Sequence, residues 1–298
     1  MKNILIIGCG LLGSSLLRRI QKKKMANKIY IYEKSKSNIT KIKKLKLPGI
    51  IIKKLEDGVV KADLIILCTP MNEYKNLIIK MNKCLLSKTI ITDIGSSKIE
   101  SSKIIKKFLR KGISWTQSHP ITGSEVSGPE HGRQDIFEDK WCVLIKEKNT
   151  KKNHLTILNK FWKKIGSKIV IMSPEKHDKI FSITSHLPHL IAYNLVKSAQ
   201  DFEKIENYDL IKYSAGGLRD FSRIAASNEI MWRDIFFNNN KNILKAIDLF
   251  IKNLNSFKKD INSKNNKSIL KKLIQTKKVR TKIIKLKQDI NKPDFGRS

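Results

Sequence analysis

Cysteine is scarce in this chain: Cys9, Cys68, Cys84 and Cys142 are the only four in 298 residues, and no two form a CxxC pair. A disulfide framework and a zinc ribbon are therefore excluded as organising devices, and a reducing, cytoplasmic compartment is the expectation. Long apolar runs are missing too. None reaches the roughly 18 to 20 residues that span a bilayer. The apolar start up to Leu17 is interrupted by Gly8, Gly10 and Gly13 and is followed by Arg18-Arg19 where a signal peptide would have small residues, so no membrane partner is expected. Aromatic residues make up only 7%. The basic runs 22–24 and 277–280 have no rings among them, unlike a surface built to stack single-stranded nucleic acid.

Acidic side chains are also few, with 26 Asp+Glu against 61 Lys+Arg and a net charge of +35. The excess is spread along the whole chain. It is densest over 258–298, where 14 Lys or Arg face 3 Asp or Glu. Lysine dominates arginine, and Ile, Asn and Lys recur throughout. That texture reads as compositional drift and a solvated surface, with a basic nucleic-acid binder kept as the alternative from a different class. The 40% hydrophobic content is enough for a core in each of two domains.

Short β-branched runs at 4–7, 29–32, 64–67, 90–92, 113–116, 142–145 and 169–172 alternate with helical spacing. This pattern predicts buried parallel strands in βαβ units, an α/β doubly wound sheet over residues 1–173. From 174 the spacing turns helical, as in 179–204 and 229–257, and Ser173-Pro174 supplies a helix cap and first position at the boundary. An all-α domain over 174–257 is expected, then a basic tail, 258–298, as a peripheral helix or a partly disordered end.

The run 4–7 leads directly into Gly8-Cys9-Gly10-Leu11-Leu12-Gly13 and a helix. Strand, glycine turn and helix in succession form the dinucleotide fingerprint. Gly8 permits the tight turn, Gly10 a close backbone approach to pyrophosphate and Gly13 close packing of helix on strand, with the pyrophosphate at the helix N-terminus beside Leu11 and Leu12. Glu33, twenty residues past Gly13 and following the second strand, is placed to accept from a ribose 2′-hydroxyl and to repel a 2′-phosphate. NAD is thus preferred to NADP, although Lys34 and Lys36 could hold such a phosphate. Thr69-Pro70, after the run 64–67, is the next loop expected along the dinucleotide.

Two further segments follow strands: Thr92-Asp93-Ile94-Gly95-Ser96-Ser97-Lys98 and Ser118-His119-Pro120-Ile121-Thr122-Gly123-Ser124-Glu125. Ligands collect at the carboxyl ends of strands in such sheets. Oxidising an alcohol carbon requires its hydroxyl proton to be drawn off, which suits a neutral imidazole at pH 7, and a nearby serine can orient the ring. His119 and Ser96 are the candidate catalytic pair. His177, His186 and His189 could be read as a zinc set, but no carboxylate or cysteine joins them at ligand spacing, so no metal is expected. Pro188 predicts a helix start there, with His189 as a neutral hydrogen-bond donor to substrate.

These segments, together with Ser185-His186-Leu187-Pro188-His189, Gly216-Gly217-Leu218-Arg219-Asp220-Phe221-Ser222-Arg223 and Met231-Trp232-Arg233-Asp234, make the chain resemble the prephenate dehydrogenase family. The resemblance implies a Rossmann-type NAD-binding domain, a helical domain that forms a homodimer, and a site in the cleft between them. It places the catalytic histidine at His119, its supporting serine at Ser96, and substrate contacts at Ser124, Glu125, His189, Gly216, Arg223 and Trp232. The implied reaction is oxidative decarboxylation of prephenate to 4-hydroxyphenylpyruvate in tyrosine biosynthesis. A planar guanidinium such as Arg223 suits one of the two substrate carboxylates, and aromatisation drives the step without a metal. The alternatives are arogenate as substrate and a β-hydroxyacid-type dehydrogenase, which would need a lysine in the helical half. With a first strand by residue 4 and only 258–298 after the helical domain, neither a preceding mutase domain nor a regulatory tail domain is expected.

Overall fold

A computed structural model describes residues 1–286 and 288. Its strands are β1 (Asn3–Ile7), β2 (Lys28–Tyr32), β3 (Ile50–Ile51), β4 (Leu64–Leu67), β5 (Ile90–Asp93), β6 (Ser114–Trp115), β7 (Ser118–Pro120), β8 (Trp141–Ile145) and β9 (Lys168–Met172). Helices α1 (Leu11–Lys22), α2 (Lys36–Lys44), α3 (Leu55–Val59), α4 (Tyr74–Met81), α5 (Ile99–Phe108) and α6 (Lys152–Ile165) alternate with them. After β9 come α7 (Pro174–Phe181), α8 (Leu187–Glu206), α9 (Gly216–Ala225), α10 (Glu229–Asn238), α11 (Asn240–Asn262) and α12 (Asn266–Lys285).

Six strands form a parallel sheet in the order β3-β2-β1-β4-β5-β6, the doubly wound dinucleotide-binding order. β1 lies at its centre, with Ile4 to Ile7 paired to Ile29 to Tyr32 on one side and to Leu64 to Leu67 on the other. Because side chains alternate across a strand, Ile4 and Ile6 enter the core with Leu16, Ile20 and Trp162, while Leu5 and Ile7 meet Tyr74 and Leu77 on the opposite face. Both faces are covered. The near-continuous apolar runs follow from this, since each fully buried Ile contributes about 1.5–3 kcal/mol over an exposed one.

The runs pair parallel as predicted, but the expected single wound sheet through residue 173 breaks at one place. Only Thr116 and Gln117 separate β6 from β7, far short of the crossover a parallel neighbour requires. The chain instead leaves the sheet, and β7 pairs antiparallel with β8, which pairs parallel with β9 in a second, three-stranded sheet. His119 therefore sits within a strand, opposite Val143, instead of after one.

At the start of the helical half, Ser173 caps α7 by accepting from the Lys176 N–H, with Pro174 in the first turn. Pro188 stands in the first turn of α8, as the sequence predicts, but α8 does not start afresh there. The helix from Pro174 runs on through a π turn, Ser182–His186, directly into α8. Pro188 has no N–H to give the carbonyl one turn back, and a π turn is one way a helix absorbs that loss.

The chain divides into two compact units, Met1–Ile243 and Leu244–Ser298, so the anticipated boundary at 173/174 falls inside the first. In the second unit, Asp260 accepts from Lys272 Nζ at 2.6 Å and from the Ser268 hydroxyl at 2.6 Å. Within the expected tail 258–298, α12 covers Asn266–Lys285, while Lys287 and 289–298 lie outside the described residues. No helix among the described residues is long and apolar enough to cross a membrane.

Candidate active site

The glycine turn has the geometry its sequence requires. Gly8 adopts φ +87°, and a Cβ there would stand 2.8 Å from the Cys68 carbonyl oxygen. A Cβ on Gly13 would stand 2.1 Å from the Gly8 carbonyl oxygen, so α1 can pack on the turn only with glycine at that position. Gly10 differs: nothing lies within 4 Å of its added Cβ, and the residue borders a cavity of about 770 Å³. α1 opens there with no side-chain cap, leaving its first N–H groups to a ligand. Leu11, Leu12, Thr69 and Pro70 border the same cavity, and the buried Thr69 hydroxyl has no hydrogen-bond partner. An open glycine, uncapped helix N–H groups and an unpaired hydroxyl suit a bound dinucleotide.

Glu33 reaches back to this turn. One carboxylate oxygen accepts from the Cys9 N–H at 2.8 Å and the other from the Ser35 N–H at 2.9 Å, so the side chain fastens the turn to the end of β2. Lys34 is paired with Glu73 and Lys41 with Glu130, which leaves both cations engaged.

Beneath the cavity, Asp93 and Lys98 form a fully buried ion pair at 2.7 Å. The same Asp93 oxygen accepts from Tyr74 OH and the Gly95 N–H, and the other from Trp115 Nε1. Lys98 Nζ also donates to the Ser118 carbonyl at 2.7 Å, which ties the end of β5 to the strand carrying His119.

His119 borders the cavity but does not bond Ser96 as expected. Its Nδ1 lies 2.7 Å from His177 Nε2, and His177 Nδ1 lies 2.7 Å from Asp178 Oδ1. The expected orienting serine is thus replaced by a histidine, because β7 turns the ring toward α7. Ser96 borders the cavity on the loop after β5. Burial, followed by the neighbouring His177 and Lys98, pushes His119 well below the usual imidazole value, so its ring is neutral at pH 7. Its Nε2 remains for the cavity.

The opposite wall comes from the helical half. His189 stacks on Trp232 with ring centroids 3.8 Å apart, and both border the cavity. His189 Nδ1 donates to the Ser185 carbonyl at 2.9 Å, so the neutral ring presents Nε2 as an acceptor, contrary to the donor expected from the sequence. Ser124, Glu125 and Arg223 line the same space, with Arg223 paired to Glu125 at 3.5 Å. Hydrogen bonding to its own N–H, to Ser124 and to Arg223 holds Glu125 below the usual carboxylate range. Gly216 does not join them. It starts α9, and seven helical positions place it roughly 10 Å along the axis from Arg223.

The structure thus gathers His119, Ser96, Ser124, Glu125, His189, Arg223 and Trp232 around one cavity with the glycine turn. Sequence reasoning missed Ser185, Asn38 and Lys41 on its wall, and the His177-Asp178 pair behind His119. His177 drew notice only as a metal ligand. The signal was its neighbour: adjacent His and Asp in the first helix of a new domain can orient a base as well as hold a metal. The three suspected ligands do not converge, since His177 bonds His119 and Asp178, His186 lies 3.1 Å from Asn239, and His189 is stacked on Trp232.

Comparison with known proteins agrees along most of the chain. Residues 16–171 match the family model described as prephenate dehydrogenase, nucleotide-binding domain, and residues 173–276 the one described as prephenate dehydrogenase, dimerization domain. The chain is 33% identical to a cyclohexadienyl dehydrogenase of Zymomonas mobilis over 94% of its own length and 95% of that protein's. It is 30% identical to a prephenate dehydrogenase of Bacillus subtilis, over 86% and 69%. Among solved structures, prephenate dehydrogenase from Aquifex aeolicus in complex with hydroxyphenyl propionate and NAD+ superposes with a TM-score of 0.88 at 34% identity, covering 95% of this chain and 98% of that one. With both halves matched in order and the cavity residues converging between them, the chain belongs to the prephenate dehydrogenase family and is a dehydrogenase.

Proposed function

We propose that the protein oxidatively decarboxylates prephenate to 4-hydroxyphenylpyruvate with NAD, as a step in making tyrosine. The observation that carries this reading is a neutral imidazole, His119, on the wall of a cavity that also holds an open glycine turn and a guanidinium. NAD when bound supplies the hydride acceptor. Gly8, Gly10, Leu11, Leu12, Gly13, Thr69 and Pro70 would hold it, with Glu33 toward the adenosine ribose. The carboxylate of Glu33 at the end of β2 and the pairing of Lys34 with Glu73 support NAD over NADP.

His119 Nε2 accepts the hydroxyl proton as the ring carbon is oxidised, and Ser96 hydrogen-bonds in the same space. Arg223 grips a substrate carboxylate, shared with Glu125, while Ser124, Ser185 and His189 complete the polar wall and Trp232 the apolar one. The carboxylate on the substrate ring leaves as carbon dioxide when the ring becomes aromatic.

Glu125 supports a second reading, arogenate. It stays ionised in the cavity and could pair with an ammonium that prephenate lacks. NADH appearance on adding prephenate tests the function. Turnover at 1–10³ s⁻¹, the usual enzyme range, is expected with prephenate and NAD. Comparable kcat/KM with arogenate would overturn the substrate preference, and silence with both would overturn the reading itself.

A homodimer through the helical half belongs to the same proposal. It is supported by the matched dimerization domain and by the exposed apolar side chains Leu249, Leu254, Ile261, Leu270 and Leu273. Light scattering should give twice the 34.3 kDa chain mass, and a monomer at micromolar concentration would contradict it.

A further inference from the structure

We propose that His177 and Asp178 form a hydrogen-bonded line behind His119 that fixes its tautomer and takes over the positive charge when His119 accepts the substrate proton. This rests on the dehydrogenase reading and specifies how its base is held.

The direction of the line follows from its far end. Asp178 is fully buried on α7. Its Oδ1 accepts from the Lys98 N–H at 2.8 Å and its Oδ2 from the Ile99 N–H at 2.9 Å, both at the start of α5. A carboxylate anchored by two backbone donors is an acceptor, so His177 must donate to it from Nδ1. His177 Nε2 is then a lone pair, which the Nδ1–H of His119 meets at 2.7 Å. His119 is thereby left with an unprotonated Nε2 toward the cavity, the only tautomer that can act as a base there. Reversing the line would place a proton on that nitrogen and disable it. Phe181 packs on both rings, with centroids 5.1 Å from His119 and 4.5 Å from His177, which holds their planes.

During the reaction the substrate O–H bond breaks and an N–H bond forms at His119 Nε2. The His119 Nδ1–H bond then breaks as one forms at His177 Nε2. The net gain is one proton, and the positive charge comes to rest beside Asp178, one ring away from the cavity. The electron pair departs as the hydride of the proposed dehydrogenase reaction. The groups that face the two rings are Lys98, His186, Asp178, Asp93 behind Lys98, and the Cys142 thiol opposite β7. Among the described residues, Asp178 is the carboxylate hydrogen-bonded to this pair, through His177. The anchor also couples base and loop, because the N–H groups that hold Asp178 follow Ser96 by two and three residues.

His177 acts through His119 and is a positioning residue. His177→Phe removes both roles and is expected to lower kcat about 100-fold with KM and NAD affinity within threefold of wild type. His177→Gln retains an acceptor for His119 but no relay. It should restore kcat to within tenfold while moving the acid limb of the kcat pH profile. Independently of turnover, long-range nitrogen–proton NMR correlations on the wild type at pH 7 should show protons on Nδ1 of both His119 and His177. A proton on Nε2 of His119, or a His177→Phe variant with wild-type kcat and pH profile, would overturn the proposal. Wild-type protein silent with prephenate and arogenate alike would sink the dehydrogenase reading instead, whatever the tautomers show.

Discussion

His119→Asn is expected to lower kcat by about 10³- to 10⁴-fold while NAD binds as in wild type, because positioned general base catalysis contributes on that scale. Asparagine fills part of the ring's volume but has no basic nitrogen. The basic groups behind it cannot substitute. His177 lies behind His119, bonded to Asp178, and Lys98 is buried with its ammonium shared between Asp93 and the Ser118 carbonyl. The glycine turn that would hold NAD is at the end of β1, bonded to the Tyr32 carbonyl and packed on Cys68. Initial rates with prephenate together with NAD titration by fluorescence separate the two effects. Activity within tenfold of wild type would assign the base elsewhere and revive the β-hydroxyacid-type alternative.

The second large effect is on folding. Lys98→Met removes one partner of a buried ion pair, and breaking such a pair from one side costs about 3–5 kcal/mol. Methionine matches the lysine stem but leaves the Asp93 carboxylate uncompensated, with only Tyr74, Trp115 and the Gly95 N–H as neutral donors. It also removes the bridge to Ser118 that links β5 to β7. A drop in Tm of roughly 6–12 °C is expected from the size scaling of thermal unfolding. The double variant Asp93→Asn with Lys98→Met should recover part of this loss, since an amide keeps an acceptor for Tyr74 or Trp115 with no buried charge. Melting of Lys98→Met within 2 °C of wild type, followed by circular dichroism, would show that the pair contributes little to stability.

Much of this architecture was legible because the residues that decide it are local. Gly8 and Gly13 announce the turn, since no side chain fits at either position, and the alternation between β-branched runs and helical spacing gives the wound sheet. The capping pair Ser173-Pro174 marks the helical half for the same reason. What escaped depends on distance in the chain. Nothing near His119 in sequence reveals that its ring meets His177, 58 positions away, instead of Ser96. Lys98 closes the segment 92–98 with no role of its own legible until Asp93 and Ser118 are seen to enclose it. β7 was lost through its length, since three residues carry no period. The donor role expected of His189 failed on a single backbone carbonyl, that of Ser185.

The π turn at Ser182–His186 sets the angular phase of the two histidines on either side of it. In a plain α-helix His177 and His189, twelve positions apart, would point about 120° away from one another. One residue absorbed in the wider turn takes back about 100° of that rotation, so the two rings emerge almost in line along a single rod. The ring behind the base and the opposite wall thus share one helical axle, and the pitch of that axle is a determinant of the site as real as any side chain bordering it.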